Sequence, residues 1–255
     1  MRLILSPAKK MNQAADTLAP AGLPVFLDRT RRILHYLKAL DRAALKNLWQ
    51  CSDKLTDDNV RRLEALTEDS LVSAQTPAML AYEGIAYQHM APTVFEDAHI
   101  AYVEEHLRIL SAFYGVLKPL DAVMPYRLEM QAAASVGGTK DLYACWADAL
   151  YREIRDDSGV FVNLASQEYA KAVLPYLGES DRCIHVNFVE DNGRTKATFA
   201  KMARGEMVRY MAEHAVTDPA DIRGFDRLGF HFHPEMSDDT RYVFVRSDKK
   251  DVSVL

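Results

Sequence analysis

Two short apolar runs constrain this chain most, because each breaks abruptly into small and polar residues. Arg2-Leu3-Ile4-Leu5 is stopped by Ser6-Pro7, and Val160-Phe161-Val162-Asn163-Leu164, opened by Gly159, runs into Ala165-Ser166. Proline cannot continue a strand ladder and holds the residue before it extended, so the first run suits a buried strand ending at Ser6. The β-branched and aromatic content of the second suits a sheet centre, with Ser166 as cap of a short following helix. Strand ends of this kind are where open sheets present ligand-binding loops.

Helical spacing fills much of the rest. Ile33, Leu34, Leu37 and Leu40 recur at helical intervals, and after a break at Asp41 so do Ala44, Leu45, Leu48 and Trp49. The pattern predicts further helices over 57–66, 78–82, 99–110, 142–154 and 202–214. Strands are predicted over 111–117, 183–189, 230–232 and 242–246, and the Asp191-Asn192-Gly193 turn predicts a hairpin returning through 195–200. Strands and helices interleave throughout, which predicts an α/β or α+β fold, a mixed sheet surrounded by helices. With no repeat, low-complexity tract or Gly/Ser linker, one domain over 1–255 is expected.

The chain has 255 residues, 49% of them apolar, and 31 basic against 36 acidic side chains, a net charge of −5. This excludes disordered and fibrous classes and disfavours indiscriminate nucleic-acid binding. No apolar stretch reaches about 18 residues and the N-terminus lacks a signal-peptide pattern, so a cytoplasmic location away from membranes is expected. Cys51, Cys145 and Cys183 form no C-x-x-C pair, which argues against a disulfide framework or thiolate zinc site. Dinucleotide, P-loop, zincin and hydrolase-elbow signatures are absent, and no cofactor is expected.

The densest polar segment is Lys118 to Glu129, where two prolines stiffen a loop carrying two cations, two carboxylates and a tyrosine. Lys118 and Arg127 there can meet a phosphate or carboxylate with Glu129 orienting Arg127; equally, Arg127 and Glu129 can form a structural ion pair. Lys9, behind the first strand, and Asn163, Ser166, Glu168 and Tyr169, behind the second, are further candidates, against plain surface and capping roles. Residues 194–209 are locally basic and can track phosphates or form a solvated face. His231 and His233 share one face of a strand with Glu235 close behind, a conceivable metal site that fits no specific motif.

LSPAK at 5–9, HLRILSAFYGVLKPLDAVMPYRLEM at 106–130, KDLYACW at 140–146, NLASQEY at 163–169 and AKMARGEMVRY at 200–210 together resemble the YaaA family of bacterial peroxide-stress proteins, in order and over nearly the whole chain. The resemblance implies a role in limiting free iron and hydroxyl-radical damage under peroxide. It also implies a single-domain fold with a cationic cleft, and binding of duplex or branched DNA through a helix-hairpin-helix-like element. Lys9, Lys118, Arg127, Lys140, Lys201 and Arg204 match the family's recurring basic positions. Ser6, Tyr114, Asp121, Tyr126, Glu129, Asn163, Ser166, Glu168 and Tyr169 match its polar ones, and no catalytic role follows.

Departures from the family pattern are Ala112 where a glycine is usual, and Lys10 where SPAKT has become SPAKK, which adds a cation to the expected cleft. Residues 28–66 lack any glycine for a helix-hairpin-helix turn. Three functions follow as expectations: DNA binding through converging cations, an enzyme acting on a small phosphorylated or carboxylated molecule, and iron binding at His231, His233 and Glu235.

Overall fold

The computed structural model describes residues 1–13 and 18–247. Its centre is a seven-stranded sheet built from β1 (Arg2–Leu5), β2 (Leu107–Ser111), β3 (Gly115–Leu117), β4 (Val160–Asn163), β5 (Arg182–Glu190), β6 (Phe230–Phe232) and β7 (Arg241–Arg246), in the spatial order β6-β7-β5-β4-β1-β2-β3. The five central strands are mutually parallel, while β3 and β6 run antiparallel at the two edges. Leu3, Ile4 and Leu5 are buried on both faces, as a central parallel strand demands. The fold is a single α/β domain with a mixed sheet.

The chain leaves β1 on one side to reach β2 and returns to its other side as β4. The carboxyl ends of β1 and β4 therefore flank a switch point in the strand order, where open sheets leave a crevice. Before β2 come α1 (Leu27–Lys38), α2 (Arg42–Trp49), α3 (Asp53–Ala65), α4 (Ile85–Met90) and α5 (Asp97–His106); α6 (Ala197–Glu213) follows β5.

Four expectations are corrected. The helix predicted to run to 110 stops at His106, where β2 begins; residues 107–111 are all buried, and an apolar run without a wet face carries no period to distinguish helix from strand. The strand expected over 111–117 is the turn Ala112–Tyr114 followed by β3, with the positive φ at Gly115 and not at Ala112. The Asn192-Gly193 turn forms, but its return strand does not, because β5 already has β4 on one edge and β7 on the other. With no free edge, residues 197–200 start α6 instead. The helix expected over 142–154 is broken at Ala147, which has φ 47°.

Helices α4 and α6 meet at backbone distance. A Cβ at Gly205 would lie 1.9 Å from the Ala86 carbonyl oxygen, and one at Gly84 would lie 2.7 Å from the Ala8 Cβ. Only the missing side chains let α4 wedge between α6 and the loop after β1.

Candidate functional site

That wedge helps to wall a cavity of about 460 Å³ at the carboxyl ends of β1 and β4. The β1 loop supplies Ser6, Lys9 and Lys10; the segment at 126–129 supplies Tyr126, Arg127 and Glu129; the β4 loop supplies Ser166, Glu168 and Tyr169; α6 supplies Lys201 and Arg204. Glu83, Ala86 and Tyr87 complete it, and sequence reasoning missed all three. Their only local signal is the lone glycine of Tyr82-Glu83-Gly84, since their place depends on the α4–α6 crossing.

Each wall is locked locally. Ser6 Oγ donates to Ser166 Oγ at 3.1 Å and accepts the Ser166 backbone N–H at 2.8 Å, tying the two strand-end loops together. Tyr87 donates its hydroxyl to the Ser6 carbonyl at 3.0 Å. Ser111 Oγ accepts the backbone N–H groups of Phe113 and Tyr114, so its own proton goes to Tyr126 Oη at 2.7 Å, and the Tyr126 and Tyr82 hydroxyls share a hydrogen bond at 3.0 Å. Burial pushes the Tyr126 phenol up to about 12, so it stays neutral.

Five cations and three carboxylates line the cavity, and most cancel in pairs. Glu129 has both oxygens taken, by Lys9 at 2.7 Å and Arg127 at 2.6 Å. Glu83 is held by Lys10 and by Asn12 at 2.5 Å, and the Lys10 contact keeps its carboxyl below the usual carboxylate range. Among the described residues this leaves Lys201, Arg204 and Glu168 without an ion-pair partner. Lys201 and Arg204 lie one turn apart on α6 and so share a face. Arg204 is half-buried; its Nε is withdrawn from water without a hydrogen-bond partner among the described residues, and burial lowers its proton affinity. Glu168 accepts the Gln131 N–H at 3.2 Å, and burial raises its carboxyl above the usual range.

Other candidates lie elsewhere. Lys118 follows β3, whose antiparallel pairing carries it to the opposite end of the sheet, into a separate cavity of about 310 Å³ with Asp121 and Arg108. Convergence of Lys118 with Lys9, Arg127, Lys201 and Arg204 does not occur, because the β2–β3 turn reverses the chain. Asp121 accepts the Lys118 backbone N–H at 2.8 Å and closes that turn. Buried Tyr114 clamps Met124 through both backbone groups, and Asn163 accepts the Ala165 N–H at 2.9 Å. Lys140 is exposed and outside both cavities.

The metal expectation also fails geometrically. Among the described residues no three His, Cys, Asp or Glu side chains gather as a metal site, so His231, His233 and Glu235 do not form one. Between α2 and α3 a helix hairpin does form without glycine, Gln50 taking φ 46°. Its cations Arg42 and Lys46 are held by Asp53 and Asp57. No helix of the described residues is long and apolar enough to cross a membrane.

Fold and cavity thus define an open α/β protein with a charged pocket at its strand-order switch point. The sequence profile described as peroxide stress protein YaaA matches residues 1–236, and the chain belongs to that family. It is 52% identical to a UPF0246 protein of Agathobacter rectalis over 249 residues, 96% of this chain and 99% of the relative. UPF0246 proteins of Lachnoclostridium phytofermentans and Desulfitobacterium hafniense are 45% and 44% identical, each covering 97% of this chain and 97% and 98% of the relatives.

Proposed function

We propose that this peroxide stress protein works by binding a small ligand with an anionic head and an apolar body in the pocket between β1, β4 and α6. One observation carries the reading: half-buried Arg204 lines the pocket with its Nε withdrawn from water and, among the described residues, with no carboxylate partner. A cation partly withdrawn from water without a counter-charge is disfavoured, and a bound anion offsets that cost. Lys201 adds a second positive group at the rim, and Leu5, Ala86, Leu128 and Leu164 offer apolar surface below.

The test is calorimetric titration of the protein with inorganic sulfate and phosphate, alongside Arg204→Gln. A loss of affinity of at least about tenfold, about 1.4 kcal/mol, is expected; equal affinity for both proteins counts against the pocket.

DNA binding is the second reading, favoured by the exposure of Lys9, Lys10 and Lys201 at the pocket mouth. Two of these lysines are engaged by Glu129 and Glu83, and a cavity of this size accepts one anionic group more readily than the width of a duplex. Under this reading Lys201→Ala weakens duplex binding and lowers the salt slope by about one. Protection from iron-dependent radical damage belongs to either reading as the physiological outcome; its measure is hydroxyl-radical yield in peroxide-treated cells carrying the wild type or Arg204→Gln.

A further inference from the structure

Of the three carboxylates facing this cavity, two are disabled by geometry. Both Glu129 oxygens are occupied by cations, and Glu83 is held by Lys10 and Asn12, so neither can exchange a proton with a ligand without breaking an ion pair. Glu168 differs. One oxygen accepts a backbone N–H from Gln131, no cation lies within ion-pair distance among the described residues, and the side chain lines the cavity together with Lys201 and Arg204. The unpaired set is therefore two cations and one carboxylate. A dianionic head satisfies the two cations but meets the negative charge of Glu168; one proton, held between Glu168 and the ligand oxygen, converts that repulsion into a hydrogen bond.

We propose that Glu168 is the proton-handling group of the pocket: protonated, it donates a hydrogen bond to an oxyanion held by Lys201 and Arg204, and ionised, it accepts the proton of an acidic ligand. The inference rests on the anion-binding reading above and deepens it. The ligand class it selects is a phosphate monoester, whose second ionisation near pH 6 lets the head group give or take that proton, whereas a carboxylate ligand is already fully ionised at neutral pH. The proton balance is simple: one proton passes between the Glu168 carboxyl and a phosphate oxygen, and no covalent bond is made or broken.

Burial already raises the Glu168 carboxyl above its ordinary range. The charged groups turned toward it are Glu129, which raises it further, and Lys9, which opposes. Lys201 and Arg204 line the same cavity from α6, with Arg127 beside Glu129. Tyr169, on its own helix, and Tyr143, which donates to the Glu168 carbonyl at 3.0 Å, are both raised by burial and stay neutral. Among the described residues no histidine lines the cavity, and His89 of α4 is turned toward Glu206.

Sulfate is the deciding probe, because it does not titrate between about pH 5 and 8 and any pH dependence belongs to the protein. Calorimetry across that range, with Glu168→Gln and Arg204→Gln, reads the linkage. The expected result is wild-type affinity that tightens as pH falls, approaching about tenfold per pH unit where Glu168 is ionised in the free protein. Glu168→Gln then binds sulfate with a flat profile near the wild-type low-pH affinity. Titration of the unmutated protein in two buffers of different ionisation heat gives the protons taken up per sulfate, so the proposal is decided even if the variant does not fold. Sulfate binding that Arg204→Gln abolishes, but that is flat with pH and takes up no proton in the wild type, overturns the Glu168 role and leaves the anion site standing. Absence of sulfate binding to the wild type at every pH overturns both.

Discussion

Arg108 is buried and Arg204 half-buried, and the protein treats the two guanidinium groups differently. Arg108, at the start of β2, donates to the carbonyls of Glu104 at 3.0 Å and Leu107 at 2.7 Å, and it shares its cavity with Glu104, Asp121 and Glu153. Its guanidinium is used to hold the chain between α5 and β2. Among the described residues Arg204 has no such partner, and Glu83 and Glu129, which line the same cavity, are already taken. A buried cation satisfied by backbone is structural; one left unsatisfied beside a cavity is the group on which the proposed anion binding rests.

The largest effect expected from breaking this comparison is at Gly205. Gly205→Ala drives a Cβ into the Ala86 carbonyl, so α4 and α6 must separate. Urea unfolding should show a loss of about 2–3 kcal/mol or more, together with loss of sulfate binding; a stable variant with intact affinity would show that the close crossing does not shape the pocket. Next comes the pair of arginines. Arg108→Met orphans two carbonyls and should destabilise by about 1–3 kcal/mol, whereas Arg204→Met removes an uncompensated charge and should leave the ligand-free protein equally or more stable, by up to about 1 kcal/mol. Equal destabilisation of both would erase the distinction.

Asp121 sharpens the contrast through pH. Burial raises its carboxyl to about 7, from an unfolded value of 3.8. A raised folded-state value means the folded chain holds the proton more tightly, so its stabilising contribution is complete below about pH 4 and is lost as pH rises through about 7. Asp121→Asn keeps an oxygen to accept the Lys118 N–H, and should be more stable than wild type at pH 8 by about 1 kcal/mol, with the gap closing on acidification. Thermal unfolding at pH 4 and 8 measures it, and an equal gap at both pH values is the adverse outcome. The smallest effect separates the lysines: Lys201→Ala should weaken sulfate binding a few-fold, about 0.5–1 kcal/mol, while Lys118→Ala leaves it unchanged, because the second lies at the other end of the sheet.

Much of the architecture was legible in the chain itself. Periodicity marked α1 and α2 with the break at Asp41, and the Ser6-Pro7 stop marked the end of β1. Local order failed where a segment is buried on all sides, as at residues 107–111, or where a turn signal met a strand with both edges occupied, as after Gly193. Candidate residues followed the same division. Those directly behind β1 and β4 line the pocket, since strand ends at a switch point open into one crevice. Lys118 and Asp121, adjacent in sequence to Arg127, do not, since a hairpin reversal separates them.

What the amino-acid sequence determined unaided is strands β1, β4, β5, β6 and β7, most helices, the family and the identity of the charged side chains, because these depend on local pattern and residue chemistry. Which charges remain available was decided only in three dimensions. Lys9, Lys10 and Arg127 are matched by Glu129 and Glu83, while Arg204 and Glu168 have no ion-pair partner among the described residues. Pairing depends on distances between segments far apart in the chain, and at the α4–α6 contact those distances depend on the absence of one Cβ.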